Sequence, residues 1–149
     1  MLPNAKISEQ AAVLATIDPI SQGAGTVTTG WISAANHERF AALVQTGVMG
    51  ASGTLDGKLQ QATDSSGTGA KDITGKALTQ ILKAAGDNKQ AVINLRAEEL
   101  DIANGFSYFR LSLTVGTAAS LISAGVLAGV TKNMPASALN QAGVVQIVG

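Results

Sequence analysis

Polar and apolar residues alternate with a period of two along most of the chain, and helical spacing is scarce. In "FSYFRLSLTVG", Phe109, Leu111, Leu113 and Val115 share one face, while Tyr108, Arg110, Ser112 and Thr114 share the other. That is the pattern of a half-buried antiparallel strand. "TVTTGWISAAN" sets Val27, Thr29, Trp31 and Ser33 against Thr26, Thr28, Gly30 and Ile32, and "RFAALVQTG" follows the turn-like "NHE", which together predict a hairpin. "GTLDGKLQQATD" places Leu55 and Leu59 opposite Asp56, Lys58 and Gln60, and "QAVINLRA" places Ala91, Ile93 and Leu95 opposite Val92, Asn94 and Arg96. Each reads as a further strand. "GKALTQILKAAGDN" admits a helical turn ending at Gly86, but residues 77–82 read better as strand, and "AEELDIANG" reads as a wide turn or single helical turn. The expected fold is all-β: an antiparallel β-sandwich of about seven or eight strands, with Val27, Trp31, Leu59, Ile93, Leu95, Phe109, Leu111 and Leu113 in its core.

Periodicity weakens at both ends. The chain therefore divides into an N-terminal arm, residues 1–21, a sandwich domain, residues 22–131, and a C-terminal arm, residues 132–149. The arms carry Leu2, Ile7, Val13, Leu14, Val144, Val145, Ile147 and Val148 without a spacing that would bury them on the chain's own sheet, so these eight are the candidate interface residues. "VVQIV" is a strong strand former whose exposed edge needs a partner.

Composition narrows the function. A chain of 149 residues with no Cys has no disulfide framework and no thiolate chemistry. Ten basic and ten acidic residues cancel, leaving no field to draw nucleic acid or an anionic membrane. The N-terminus lacks a basic, apolar secretory signal, and residues 118–130 are too short and too rich in Gly and Ser to span a bilayer. Charged residues make up 13% against 46% hydrophobic, so part of the surface is expected to be covered by other subunits in a dimer or trimer.

The search for chemistry is barren. "ATDSSGTGAKDITGKALTQ" contains a Gly-Lys pair at Gly75 and Lys76, yet a phosphate-binding loop would need Gly at Ala70 and Ser or Thr at Ala77. The stretch reads instead as a surface loop over residues 65–74, with Gly67 and Gly69 at positive φ and Asp64 and Asp72 capping local turns. His37, the single histidine, reads as an exposed turn residue, and no nucleophile elbow occurs. Glu98, Glu99 and Asp101 read as a solvated turn rather than a cation site, and aromatics, at 3%, are too few for a sugar or base platform. No catalytic residue, cofactor or metal is expected.

"FAALVQTGVMGASGTLDGKLQQATDSSGTGAKDITGKALTQ" and "AVINLRAEELDIANGFSYFRLSLTVGTAAS" resemble the minor capsid or capsid decoration proteins of tailed bacteriophages, small structural proteins encoded among the head genes. The likeness covers roughly residues 30–130, and its most specific pieces are "KLQQATDSSGTGAKDI" and "EELDIANGF". The resemblance implies a non-enzymatic virion protein, made in the host cytoplasm, whose partner on the capsid surface is the major capsid protein. It supplies no catalytic residues. The alternatives are a neck or tail structural protein and, in a different class, a glycan- or receptor-binding sandwich; an enzyme comes last.

Overall fold

The computed structural model describes residues 3–149. A single helical turn, α1 (Ile7–Gln10), leads into β1 (Ala11–Gln22), β2 (Gly25–Thr28), β3 (Ile32–Ser33), β4 (His37–Thr46), β5 (Thr54–Ala62) and β6 (Lys71–Ala77). β7 (Ile81–Leu82) and the turn α2 (Lys83–Gly86) precede β8 (Gln90–Arg96), β9 (Tyr108–Gly116) and β10 (Ser120–Thr131). The strands form two antiparallel sheets. One has four strands in the order β1, β10, β4, β8; the other has six, with β2, β9, β5 and β6 in order, β3 beside β9 and β7 beside β5. The class is the expected all-β sandwich, with ten strands rather than seven or eight.

The inner layer is built by the alternation itself. Leu55, Leu59, Phe109, Leu111, Leu113 and Val115 from the six-stranded sheet meet Phe40, Ala42, Val44, Ile93, Leu95, Ile122 and Val126 from the other, all buried. Phe40 and Phe109 join the sheets edge to face with centroids 4.7 Å apart. Burying each of the larger side chains stabilises the fold by about 1.5–3 kcal/mol. Of the expected core, Leu59, Ile93, Leu95, Phe109, Leu111 and Leu113 are buried; Val27 is half-buried against the core. Trp31 lies outside it. Between β2 and β3 the strand breaks step: Thr29 N donates to Leu111 O, and Leu111 N donates to Thr29 Oγ1. Pairing then resumes at Ile32, so Ile32 turns inward and Trp31 outward. β2 and β3 both pair with β9, whereas β4, beyond the turn at Ala35 and Asn36, belongs to the other sheet, so the expected hairpin does not form.

The N-terminal arm is a correction. Residues 11–22 are a full strand of the four-stranded sheet, with Ala12 and Ile17 buried and Leu14 packed against the core. Register shifts between Val13 and Ala15 and between Ile17 and Ile20 break the alternation that would have revealed it. Residues 118–130, set aside as too short for a membrane, are largely β10, the strand between β1 and β4. Residues 132–149 do leave the sheets. They make one 3₁₀ turn (Ala136–Leu139) with Ala136 buried, then run on without joining a strand. Asn140 fastens this segment to β1: its Oδ1 accepts from Val13 N, while Gln141 N donates to Val13 O.

Candidate interaction surface

The polar clusters resolve into structure. In the Gly-rich loop, Asp64 Oδ1 accepts from Ser66 N and Thr68 N, which holds its carboxyl below the usual carboxylate range, with the Thr68 hydrogen bonds the largest cause. Gly67 and Gly69 take positive φ as expected, and a Cβ at Gly67 would lie 2.5 Å from Trp31 Nε1. The loop is shorter than expected because β6 begins at Lys71, and Asp72 is a strand residue rather than a cap. Lys76 reaches Glu99 at 2.9 Å; Lys71 pairs with Asp101, and Arg96 with Glu98 at 2.7 Å. Lys76 and Lys71 are the largest causes of the lowered pKa values of Glu99 and Asp101. Among the described residues no cluster of His, Cys, Asp or Glu has metal-holding geometry, and no helix is long and apolar enough to cross a membrane.

His37 corrects the sequence reading. It opens β4 and is 2% exposed, its ring edge-on to Phe40 at 6.1 Å, with Nδ1 buried and unpartnered. Burial pushes its pKa down. Asn36 occupies the turn, and the histidine after it already belongs to the strand.

The two outer faces differ sharply. On the six-stranded sheet, Lys58 Nζ lies 2.9 Å from Asp72 Oδ2, Gln60 Nε2 donates to Asp72 Oδ1 at 3.0 Å, and Arg110 Nε donates to Gln60 Oε1 at 3.0 Å. Arg110 also stacks on the Trp31 ring, 4.4 Å from its centroid. Thr26 and Thr114 share a hydroxyl hydrogen bond of 2.7 Å, and Gln80 Nε2 donates to Asp56 Oδ2 at 2.8 Å. This face satisfies itself.

The outer face of the four-stranded sheet reads across the strands in rows. One row is Val13, Leu127, Ala41 and Asn94; the next is Thr16, Gly125, Leu43 and Val92. Val92 is 54% exposed and Leu127 38%, and a Cβ at Gly125 would meet nothing within 4 Å. Charge enters this face at two places, one of which also gathers Glu38, Glu98 and Lys132 at its rim. Arg39 and Arg96 stand opposite one another in the row with Ala11 and Gly129, and Asp18 stands beside Leu43, Gln45 and Ser123 at the β1 edge. Sequence reading missed this surface, although β4 and β10 carry apolar or small residues on both alternating sets, which marks a sheet covered on both sides.

Of the eight candidate interface residues, Leu2 lies outside the described residues. Ile7 is exposed on α1, and Val13 sits on the uncharged face just described. Leu14 faces the core. Val144 is half-buried, whereas Val145 and Val148 are 93% and 84% exposed and Ile147 is about half exposed. The structure thus splits the set between the sandwich and a free apolar tail.

No protein-family model and no curated protein sequence matches the chain. Solved structures share the sandwich distantly. The SPBc2 prophage-derived protein YomS overlays with TM-score 0.43 and 7% identity, covering 78% of this chain and 91% of that one. A chain of cowpea mosaic virus top component, naturally occurring empty particles, gives TM-score 0.43 and 10% identity, with 90% and 94% covered. The CBM22-1–GH10 modules of Clostridium thermocellum xylanase 10B, complexed with xylohexaose, give 0.48 and 10%, covering 84% of this chain but 29% of that one. Likenesses this distant decide nothing among a phage protein, a virus particle and a sugar-binding module.

Proposed function

We propose that this chain is a non-enzymatic virion structural protein that binds the outer surface of a bacteriophage capsid through its C-terminal segment and stabilises or decorates the shell. The observation that carries the reading is the tail: beyond Gln141, which is still bonded to β1, residues 142–149 leave the sandwich and hold Val145 and Val148 out in solvent with Ile147 half exposed. A folded domain that presents a strand-forming apolar segment is built to complete another protein's sheet or groove, where main-chain hydrogen bonds and apolar burial offset the ordering cost of about 1–2 kcal/mol per residue. The resemblance of residues 30–130 to phage head proteins names the partner class, the major capsid protein.

The test deletes residues 143–149 and measures folding by circular dichroism and occupancy by quantitative gel of purified particles. Because the deleted residues contribute no strand, the truncated domain is expected to melt within a few degrees of the full chain and to be lost from particles. Normal occupancy by the truncated protein would refute the tail's role, and about a dozen copies per particle instead of hundreds would move the protein to the neck or tail. The glycan-binding alternative rests on Trp31, half-exposed on the polar sheet. Glycan-array binding abolished by Trp31→Ala would favour it.

A further inference from the structure

We propose that the outer face of the four-stranded sheet is the contact between two copies of this chain, packed face to face about a two-fold axis. The occupant is a second copy because the face complements itself. Its net positive corner, Arg39 and Arg96 on β4 and β8 with Lys132 beside them against Glu38 and Glu98, lies diagonally across the sheet from its negative corner, Asp18 on β1. A two-fold axis lying in the face, across the line joining those corners, sets each copy's arginines against the other's aspartate, and the same contact forms twice. The uncharged rows then meet in the middle.

Each element of the face asks for such a partner. Arg39 opposes Arg96 directly across the strands, a like-charge pairing that is unfavourable in an isolated sheet, and Arg39 has no ion-pair partner among the described residues. Arg96 has Glu98, but among the described residues Asp18 has only the Thr16 hydroxyl, at 3.0 Å. Between the corners, Val92 and Leu127 project beside Gly125, whose missing side chain leaves a shallow trough between Leu43 and Thr16 for an apolar side chain of the partner. Four strands spaced about 4.8 Å apart, with paired lengths of about 25–30 Å, give roughly 500 Å² per copy. A pair buries on the order of 1,000 Å², the floor for a specific interface, and its centre is charge-free as interface cores are. The six-stranded sheet offers no comparable face, because its outward Asp56, Lys58, Asp72 and Arg110 are each already hydrogen-bonded to a neighbour on that sheet and leave no uncharged centre.

The test is sedimentation velocity of the full chain at about 10–200 μM, the range in which an interface of this size is populated. A dimer is expected. Leu127→Glu should weaken it about a hundredfold by placing a charge in the apolar centre, and Val92→Lys is a second variant at a different strand should the first fail to fold. Arg39→Glu and Asp18→Arg should each weaken it roughly tenfold, and the double variant should regain most of the loss because the charges are exchanged across the axis. Lys58→Ala on the opposite face should leave the dimer intact. A monomer at about 200 μM would overturn the proposal and leave the face to a partner of different sequence. A dimer that tolerates Leu127→Glu and Val92→Lys, or a double charge reversal that adds the two losses instead of cancelling them, would overturn it equally.

Discussion

On the six-stranded sheet, Asp72 holds Lys58 and Gln60, Gln60 holds Arg110, and Arg110 stacks on Trp31, so the outward side chains form one connected network. On the four-stranded sheet the outward positions carry Val13, Leu127, Ala41, Leu43 and Val92, with Arg39 and Arg96 gathered at one corner. Inside, the two sheets are alike, each presenting a continuous aliphatic layer with one central phenylalanine. The difference shows that burial on the inner side fixes the sandwich, while the outer side is free to be written either for water or for another protein.

The largest effect should test the likeness of the interiors. Phe109→Ala and Phe40→Ala remove the two halves of one edge-to-face contact from sites 0% and 4% exposed, and each should cost about 3–5 kcal/mol in chemical denaturation. Because the rings touch, the double variant should cost less than the sum. A full sum would mean that the two sheets are stabilised independently.

A smaller effect probes the end of the four-stranded sheet. His37 is held neutral by burial, so its folded pKa lies below the ordinary 6.5, and as pH falls below 6.5 the unfolded chain binds the proton first. Its contribution is complete above 6.5 and is lost from there down toward the folded pKa, with a slope of at most about 1.4 kcal/mol per pH unit for one proton. Denaturation between pH 7 and 5 should show that slope, and His37→Leu should flatten it; an unchanged slope would assign the dependence to other groups.

The smallest effect belongs to the polar face. Asp72→Asn leaves a hydrogen-bonding amide facing Lys58 and Gln60 and should cost less than about 1 kcal/mol, as exposed ion pairs do. Lys58 is the first cause of the lowered Asp72 pKa, so this small contribution is present above the usual carboxylate value near 3.8 and fades as pH falls below it. Thermal melts at neutral pH and at pH 3 should show the wild type and variant converging in acid.

The same contrast explains how far the sequence could be read. β5, β8 and β9 were legible because polar outward residues such as Lys58, Asn94 and Arg110 punctuate their apolar inward ones. β10 was opaque because Leu121, Gly125 and Leu127 on its outer side are as apolar as Ile122, Val126 and Ala128 on its inner side, so no period of two survives. β1 was lost to its register shifts, which send the adjacent Leu14 and Ala15 both toward the core and made a strand resemble an arm. Trp31 and Ile32 exchanged places for the same kind of reason, a break in step that composition does not announce. The tail, by contrast, was read as a segment outside the sheets, and residues 141–149 do lie there.

The clip between Asn140 and Val13 has a consequence for how assembly ends. β1 is the outermost strand of its sheet, and an open strand edge is where chains add one after another into fibres without limit. Here the Asn140 side chain and Gln141 main chain occupy the free amide and carbonyl of Val13, while Pro19, which has no amide hydrogen to offer, interrupts the far half of the same edge. Addition of a further strand along β1 is thereby hindered at both halves of that edge, which leaves β8 as the edge of this sheet with its main chain open.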